Sequence, residues 1–394
     1  MLLTAAHVLA GADRRPLADG AVLVRDGLIA RVGPREEVAP LARPDEPRLA
    51  FPAGTLLPGL IDAHVHLCFD GGTDPVATLQ QQDDAALFAA MAERAGQLLG
   101  AGVTTVRDLG DRGGLALRLA AAVTAGELPG PRIVSAAAPV TVPGGHCWFL
   151  GGEAAGSDEV RRLVRRNIAA GAGAIKVMAT GGRLTKGGAQ SWESQFTAAE
   201  LAVVVDEAHD AGLPVAAHAH GADGIAAAVA AGVDTIEHCT WMTSTGTELR
   251  ADVLDRIVDQ GIHVCPTVSP HWRRLPQVFG AARTEAMFDA VRRMAAAGAR
   301  IVAGTDAGVQ RAGFDGTAAG LGFYAHLGVE PDRVLAMATT EAARALGLGD
   351  VTGQLTPGYS ADLLVVDGDP LADLGALTDV AAVIAAGRHL PLAE

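Results

Sequence analysis

The sequence predicts an α/β fold, a (β/α)8 TIM barrel over residues 56–349 with a small β-sandwich domain built from the two chain ends, 1–55 and 350–394. Three observations predict it. Between 56 and 349, eight apolar strand-like runs alternate with Ala-rich helical stretches, the pattern of a parallel sheet covered by helices. Several runs follow the same phrase, Ala-Gly-Val or Ala-Gly-Leu-Pro, in which Gly ends a helix in a left-handed cap and returns the chain to the sheet. Both ends share a different texture of short apolar runs and turns, without a long helical period.

In chain order, residues 1–55 read as a small β unit, with an Asp-Gly hairpin turn at Asp26 and Gly27. The eight barrel runs are Leu60 to His66, 103–109, 132–136, 174–180, 215–220, 235–239, 263–267 and 301–307. Eight units in this length suit a closed barrel better than an open sheet. After residue 350 the β texture returns, in Ala-Asp-Leu-Leu-Val-Val-Asp-Gly and Val-Ala-Ala-Val-Ile-Ala-Ala-Gly. Isolated short strands are marginal, so the two ends are expected to pair into one sheet structure.

Composition narrows the function. Of 394 residues 49% are hydrophobic and only 4% aromatic, so the core is packed from Ala, Val, Leu and Ile. A formal charge of -14 without any Lys/Arg-rich run argues against nucleic acid or an anionic membrane as a partner and favours a small-molecule substrate. The chain starts without a secretory pattern and carries no apolar run of spanning length, so a cytoplasmic location is expected; a homo-oligomer is compatible with the sequence. Cys68, Cys147, Cys239 and Cys265 are widely spaced and are expected to be free thiols.

Polar residues fall selectively at the carboxyl ends of the predicted strands, where a barrel builds its site. Strand one ends in His64 and His66, which share a face because side chains two apart in a strand do. Strand four carries Lys176, strand five ends in His218 and His220, strand six in His238 and strand eight in Asp306. Each has an ordinary structural alternative: a hydrogen-bonded strand-end histidine, a helix cap at Asp306, or a Lys176 paired with Glu237. Jointly those alternatives require independent accidents at five strand ends. Imidazole nitrogens and a carboxylate gathered at one rim suit a divalent cation.

With these motifs the chain resembles the amidohydrolase superfamily, and within it the prolidase-like and imidazolonepropionase-like hydrolases. The resemblance rests on Pro-Gly-Leu-Ile-Asp-Ala-His-Val-His, Gly-Ala-Ile-Lys-Val-Met-Ala-Thr-Gly-Gly, Ala-His-Ala-His-Gly, Ile-Glu-His, Gly-Thr-Asp-Ala-Gly and the tail Gly-Gln-Leu-Thr-Pro-Gly-Tyr-Ser-Ala-Asp-Leu-Leu-Val-Val. It implies that His64, His66 and Asp306 hold one metal and His218 and His238 a second, bridged by a carboxylated Lys176. It further implies zinc, with manganese or cobalt as alternatives, and a metal-bridging hydroxide that attacks an amide carbonyl. Asp306 and His238 are then the expected catalytic residues, with Asp306 as general base and acid. Deaminases of the superfamily carry a Glu three residues after the strand-five histidine, where this chain has Gly221. The alternative activity is ring opening of a cyclic amide or imidazolone at a single metal, and the non-enzymatic one is a catalytically silent scaffold, which predicts missing ligands; none is missing.

Substrate contacts are expected from the loops. The resemblance places a substrate-contacting histidine at His146, and His220 stands where dipeptide-cleaving relatives often have Tyr. All four tryptophans follow barrel strands, so Trp148, Trp192 and Trp241 are candidates for an apolar substrate pocket, with Trp272 after strand seven. Arg183, Lys186, His271, Arg273 and Arg274 are either carboxylate contacts or solvated surface.

Overall fold

The computed structural model describes residues 1–10 and 16–390. Fifteen strands are described. In chain order they are β1 Leu2–Leu9, β2 Pro16–Arg25, β3 Leu28–Pro34, β4 Arg48–Pro58, β5 Leu60–Val65, β6 Val103–Asp108, β7 Arg132–Ser135 and β8 Ile175–Met178. They continue with β9 Val215–Gly221, β10 Thr235–Met242, β11 His263–Cys265, β12 Arg300–Ile301, β13 Leu363–Asp367, β14 Val380–Ala385 and β15 Arg388–Leu390.

Strands from both chain ends form one sheet of seven, in the order β15-β14-β13-β4-β1-β2-β3. Asp26 and Gly27 turn β2 into β3 with φ of 50° and 77°, the left-handed pair that a tight hairpin needs. Alternation along the strands divides the side chains between two faces. Leu56, Leu363, Val365 and Ile384 pack in a separate cluster on one face of this sheet. Their neighbours Leu57, Leu364, Val366 and Val383 belong instead to the main core. The approach there is close: a Cβ at Gly102, which sits at φ 86°, would lie 2.9 Å from a Leu364 methyl.

The other eight strands form two parallel sheets, β5-β6-β7 and β12-β11-β10-β9-β8, with α-helices between successive strands. Bridges connect the two sheets on both sides, Val65 with Ala307 and Val140 with Val177. At the first, His66 N–H donates to Ala307 O and Asp306 N–H to His64 O, both at 2.8 Å; at the second, Val140 N–H donates to Lys176 O at 2.8 Å. The regular part of the eighth strand is shorter than the sequence suggests, because β12 ends at Ile301 and residues 302–306 continue without a ladder. Gly304 explains the tight passage: a Cβ there would meet the Cys265 sulfur at 2.5 Å and His64 Cβ at 2.9 Å. All four cysteines are free and buried. Among the described residues no helix is long and apolar enough to cross a membrane.

Candidate metal and active site

The carboxyl ends of β5, β8, β9 and β10, and the segment after β12, open into one cavity of about 800 Å³. His64, His66, His146, Lys176, His218, His220, His238 and Asp306 all line it. The structure thus brings together every predicted ligand.

Hydrogen bonds on the outer ring nitrogens decide which nitrogen of each histidine faces inward. His64 Nδ1 lies 2.7 Å from Glu237 Oε2, and His66 Nδ1 lies 3.1 Å from the Gly110 carbonyl. Both partners only accept, so both Nδ1 atoms carry hydrogen and both Nε2 atoms present lone pairs. These Nε2 atoms lie 3.4 Å apart and 3.4 and 3.6 Å from Asp306 Oδ1. Asp306 Oδ1 itself has no hydrogen-bond partner. Three acceptors facing one another without a proton between them are mutually repulsive, and a cation at their centre removes the repulsion.

The second group is built the same way. His218 Nε2 donates to the Gly181 carbonyl at 3.0 Å, leaving Nδ1 free. Thr267 Oγ1 gives its hydrogen to Pro266 O and therefore accepts from His238 Nδ1 at 2.7 Å, leaving Nε2 free. His220 joins this pair: its ring stacks on His238 at 4.4 Å, and it offers a donor atom within 4.8 Å of those of His218 and His238. Its Nδ1 is tied to Thr240 Oγ1 at 2.9 Å.

Lys176 is 1% exposed and its Nζ has no hydrogen-bond partner. The Lys176–Glu237 pairing that the sequence left open is not made, since Glu237 bonds to Arg107 and His64 instead. Nor does Asp306 cap the following helix, Thr317–His326, whose cap is Gly316. Burial draws the Lys176 ammonium down to about 8, against the opposing pull of Glu237 and Asp306. Burial also holds five histidines here in the neutral, ligating form, with His146 and His220 at about 3 and His66, His218 and His238 well below the usual histidine range. The Asp306 carboxyl is raised, chiefly by burial, with His64 and Lys176 pulling the other way.

Backbone strain concentrates here. His238, Cys239, Trp241, Thr267 and Asp306 all have φ between 49° and 68°, a left-handed conformation that L residues hold only when their surroundings fix them. His146 sits 4.6 Å from the His218 ring and fits because residue 182 is Gly, where a Cβ would come within 2.3 Å of its ring.

The cavity wall differs from the one expected. Its aromatic residues are Trp272, Phe279, Phe288 and Phe323; Trp148, Trp192 and Trp241 are not among the lining residues. Trp241 is fully buried with its indole N–H directed at Met294 Sδ, 3.5 Å away, and Trp148 is 42% exposed. Arg183, His271 and Arg274 do line the cavity, as does Arg311, which the sequence did not single out; Lys186 and Arg273 do not. Arg273 lies over the Trp272 ring instead, 4.1 Å from its centroid.

The sequence also gave no reason to select Arg107. It is fully buried, and its guanidinium meets Glu237 Oε1 at 2.8 Å beneath His64. A charged residue inside the apolar run of β6 was the available signal.

A sequence model of the amidohydrolase family matches residues 55–390. Ochratoxinase of Aspergillus niger is 30% identical over 96% of this chain and 83% of its own length. Imidazolonepropionase of Mesorhizobium japonicum is 28% identical over 90% of this chain and 88% of its own. Among solved structures, a Xaa-Pro dipeptidase with methionine in its active site superposes with a TM-score of 0.86 at 29% identity, covering 99% of both chains.

Proposed function

The chain belongs to the amidohydrolase family and is a hydrolase of C–N amide bonds, and from that premise we propose that it cleaves an N-acyl amino acid or dipeptide-like amide at a two-metal site. One observation carries this reading: the free lone pairs of His64, His66 and Asp306 in one group, and of His218 and His238 in another, line one cavity with a buried amine that has no partner. The donor set fits two divalent ions. His64, His66 and Asp306 would hold one, and His218 and His238 the other. Lys176, able to react with carbon dioxide as the free amine, would supply two carbamate oxygens between them. Zinc is the expected ion, with manganese or cobalt able to use the same donors. When bound, such ions polarise a carbonyl and lower the pKa of water toward about 7.

The protein's own groups do the rest. Asp306, its carboxyl raised by burial and lining the cavity, takes the proton of the attacking water and delivers it to the leaving nitrogen. His238 is oriented toward the reacting centre by Thr267. His146 and His220 border the same space and contact the substrate.

The cavity supports the substrate class. Leu275, Met287, Phe288, Val291 and Phe323 supply an apolar wall, while Arg183, Arg274 and Arg311 supply cations and Asp306 is the only lining carboxylate among the described residues. In a protein of net charge -14, such a lining suits an amide bearing both a carboxylate and a bulky apolar group. We further propose that the two parallel sheets are one closed (β/α)8 barrel over 56–349, supported by the bridges at Val65 and Val140. The terminal sheet, with its small second cluster around Leu2, Ala21, Leu23 and Val38, would be the composite β-sandwich domain of a cytoplasmic enzyme.

The test is a screen of N-acyl amino acids, dipeptides and cyclic amides against zinc-loaded protein. Turnover of the first two classes supports the proposal. Turnover confined to cyclic amides, with one metal per chain, supports the ring-opening alternative.

A further inference from the structure

Beneath His64 lies a buried group of four residues whose hydrogen bonds converge on one carboxylate, that of Glu237. Arg107 Nε donates to the carbonyl of Ala63, the residue before His64, at 2.8 Å. Its NH1 donates to Thr235 Oγ1 at 3.1 Å and its NH2 to Glu237 Oε1 at 2.8 Å. Thr235 passes its hydroxyl hydrogen to Glu237 Oε1 at 2.7 Å. The remaining carboxylate oxygen, Oε2, meets His64 Nδ1 at 2.7 Å. Arg107, Thr235 and Glu237 have 0% exposure and His64 has 1%.

A guanidinium has donors and no acceptor, and the Thr235 hydrogen is already committed, so Glu237 is an acceptor on every side. His64 Nδ1 must then carry the ring hydrogen. We propose that Arg107 and Glu237 are positioning residues that fix the tautomer and orientation of His64, leaving Nε2 as the only nitrogen able to bind a cation in the cavity. Arg107 has a second effect. His64, Glu237 and Cys265 offer three buried donor atoms within 4.8 Å of one another, a trio that could itself attract an ion. The guanidinium already supplies the positive charge there, so the cation is directed to the cavity side of the ring. The inference rests on the metal-site reading above.

The test uses the isosteric variant Glu237→Gln. Facing the Arg107 guanidinium, which offers only hydrogens, the carboxamide keeps its oxygen on that side and turns its NH2 to His64. That reverses the imidazole: Nδ1 becomes the acceptor and Nε2 gains the hydrogen. Removing the guanidinium as well, in Arg107→Met with Glu237→Gln, frees the amide to turn its oxygen back toward His64.

Zinc affinity of metal-stripped full-length protein is measured by competition with a chromophoric chelator, alongside Tm without metal. The expected result is a loss of about 10- to 100-fold in affinity at one site for Glu237→Gln, with partial recovery in the double variant. Recovery of binding by a second core substitution is not expected of a merely structural pair. Unchanged affinity in Glu237→Gln, or equal loss in both variants, overturns the proposal. If Glu237→Gln does not fold, the double variant, with an uncharged pair, decides: affinity within about tenfold of wild type supports the proposal, and a larger loss overturns it. Wild-type protein that binds no zinc would sink the metal site itself, and this inference with it.

Discussion

Thr305 donates twice to the carboxylate of Asp62, through its N–H at 3.0 Å and its hydroxyl at 2.7 Å. The same carboxylate accepts from His64 N–H at 3.2 Å and Thr317 Oγ1 at 2.8 Å. One buried acid therefore ties β5, the segment carrying Asp306 and the helix Thr317–His326 at the level of the site. Asp62→Ala would strand four donors, two of them backbone N–H groups, and each buried unsatisfied group costs about 1–3 kcal/mol. We expect a loss of roughly 4 kcal/mol or more in chemical denaturation, with Asp62→Asn less severe. An unchanged midpoint in Asp62→Ala would contradict this.

Thr267 is a β-branched residue held at φ 53°, and its hydroxyl is the partner that orients His238. Thr267→Val removes the acceptor and keeps the strain, whereas Thr267→Ser keeps the acceptor and reduces it. Zinc affinity should be about tenfold weaker in the Val variant than in the Ser variant. Equal affinities would show that the strained hydroxyl does not hold the ring.

Asp108 and Asp111 form a buried acidic pair beside the loop after β6. Burial and the charge of Asp111 push the Asp108 carboxyl up to about 7, and burial raises Asp111 too. A carboxyl whose folded pKa exceeds its unfolded value favours the native state while protonated, so this pair costs stability as pH rises from about 4 to about 7. Asp111→Asn removes one charge and retains an acceptor for Ala116 N–H. Its Tm relative to wild type should therefore climb across that pH range. A difference independent of pH would refute the coupling.

Arg183 and Arg274 line the cavity and form no ion pair among the described residues, unlike Arg161 and Arg165, which share Glu207. Arg183→Gln and Arg274→Gln should raise KM severalfold for an N-acyl amino acid and leave the matching carboxamide little affected. Equal effects on the two substrates would remove the carboxylate from the account.

Much of this was legible in the sequence because it depended on local periodicity. His64 and His66 share a face by the two-residue repeat of β5, and Gly102, Gly212 and Gly232 each take a positive φ before a strand, as their phrase predicted. Pairing of the chain ends followed from the weakness of isolated strands. What stayed hidden depended on tertiary direction. Three of the four tryptophans do not line the cavity, because a position at or after the end of a strand does not fix where the indole points; Trp241, inside β10, turns to Met294. The apolar wall comes largely from the helix Ala281–Ala296 and the turn around Trp272, whose sequences read as ordinary helix and loop. Arg107 and Glu237 are 130 positions apart, and only the fold reveals them as a pair.

The central claim is most directly tested by metal content. Protein stripped with a chelator and reconstituted with zinc and bicarbonate should bind about two equivalents per chain and recover amidase activity, and Lys176→Ala should bind fewer and remain inactive. Wild-type protein that binds no metal, or that hydrolyses its amide equally well after stripping, would contradict the account.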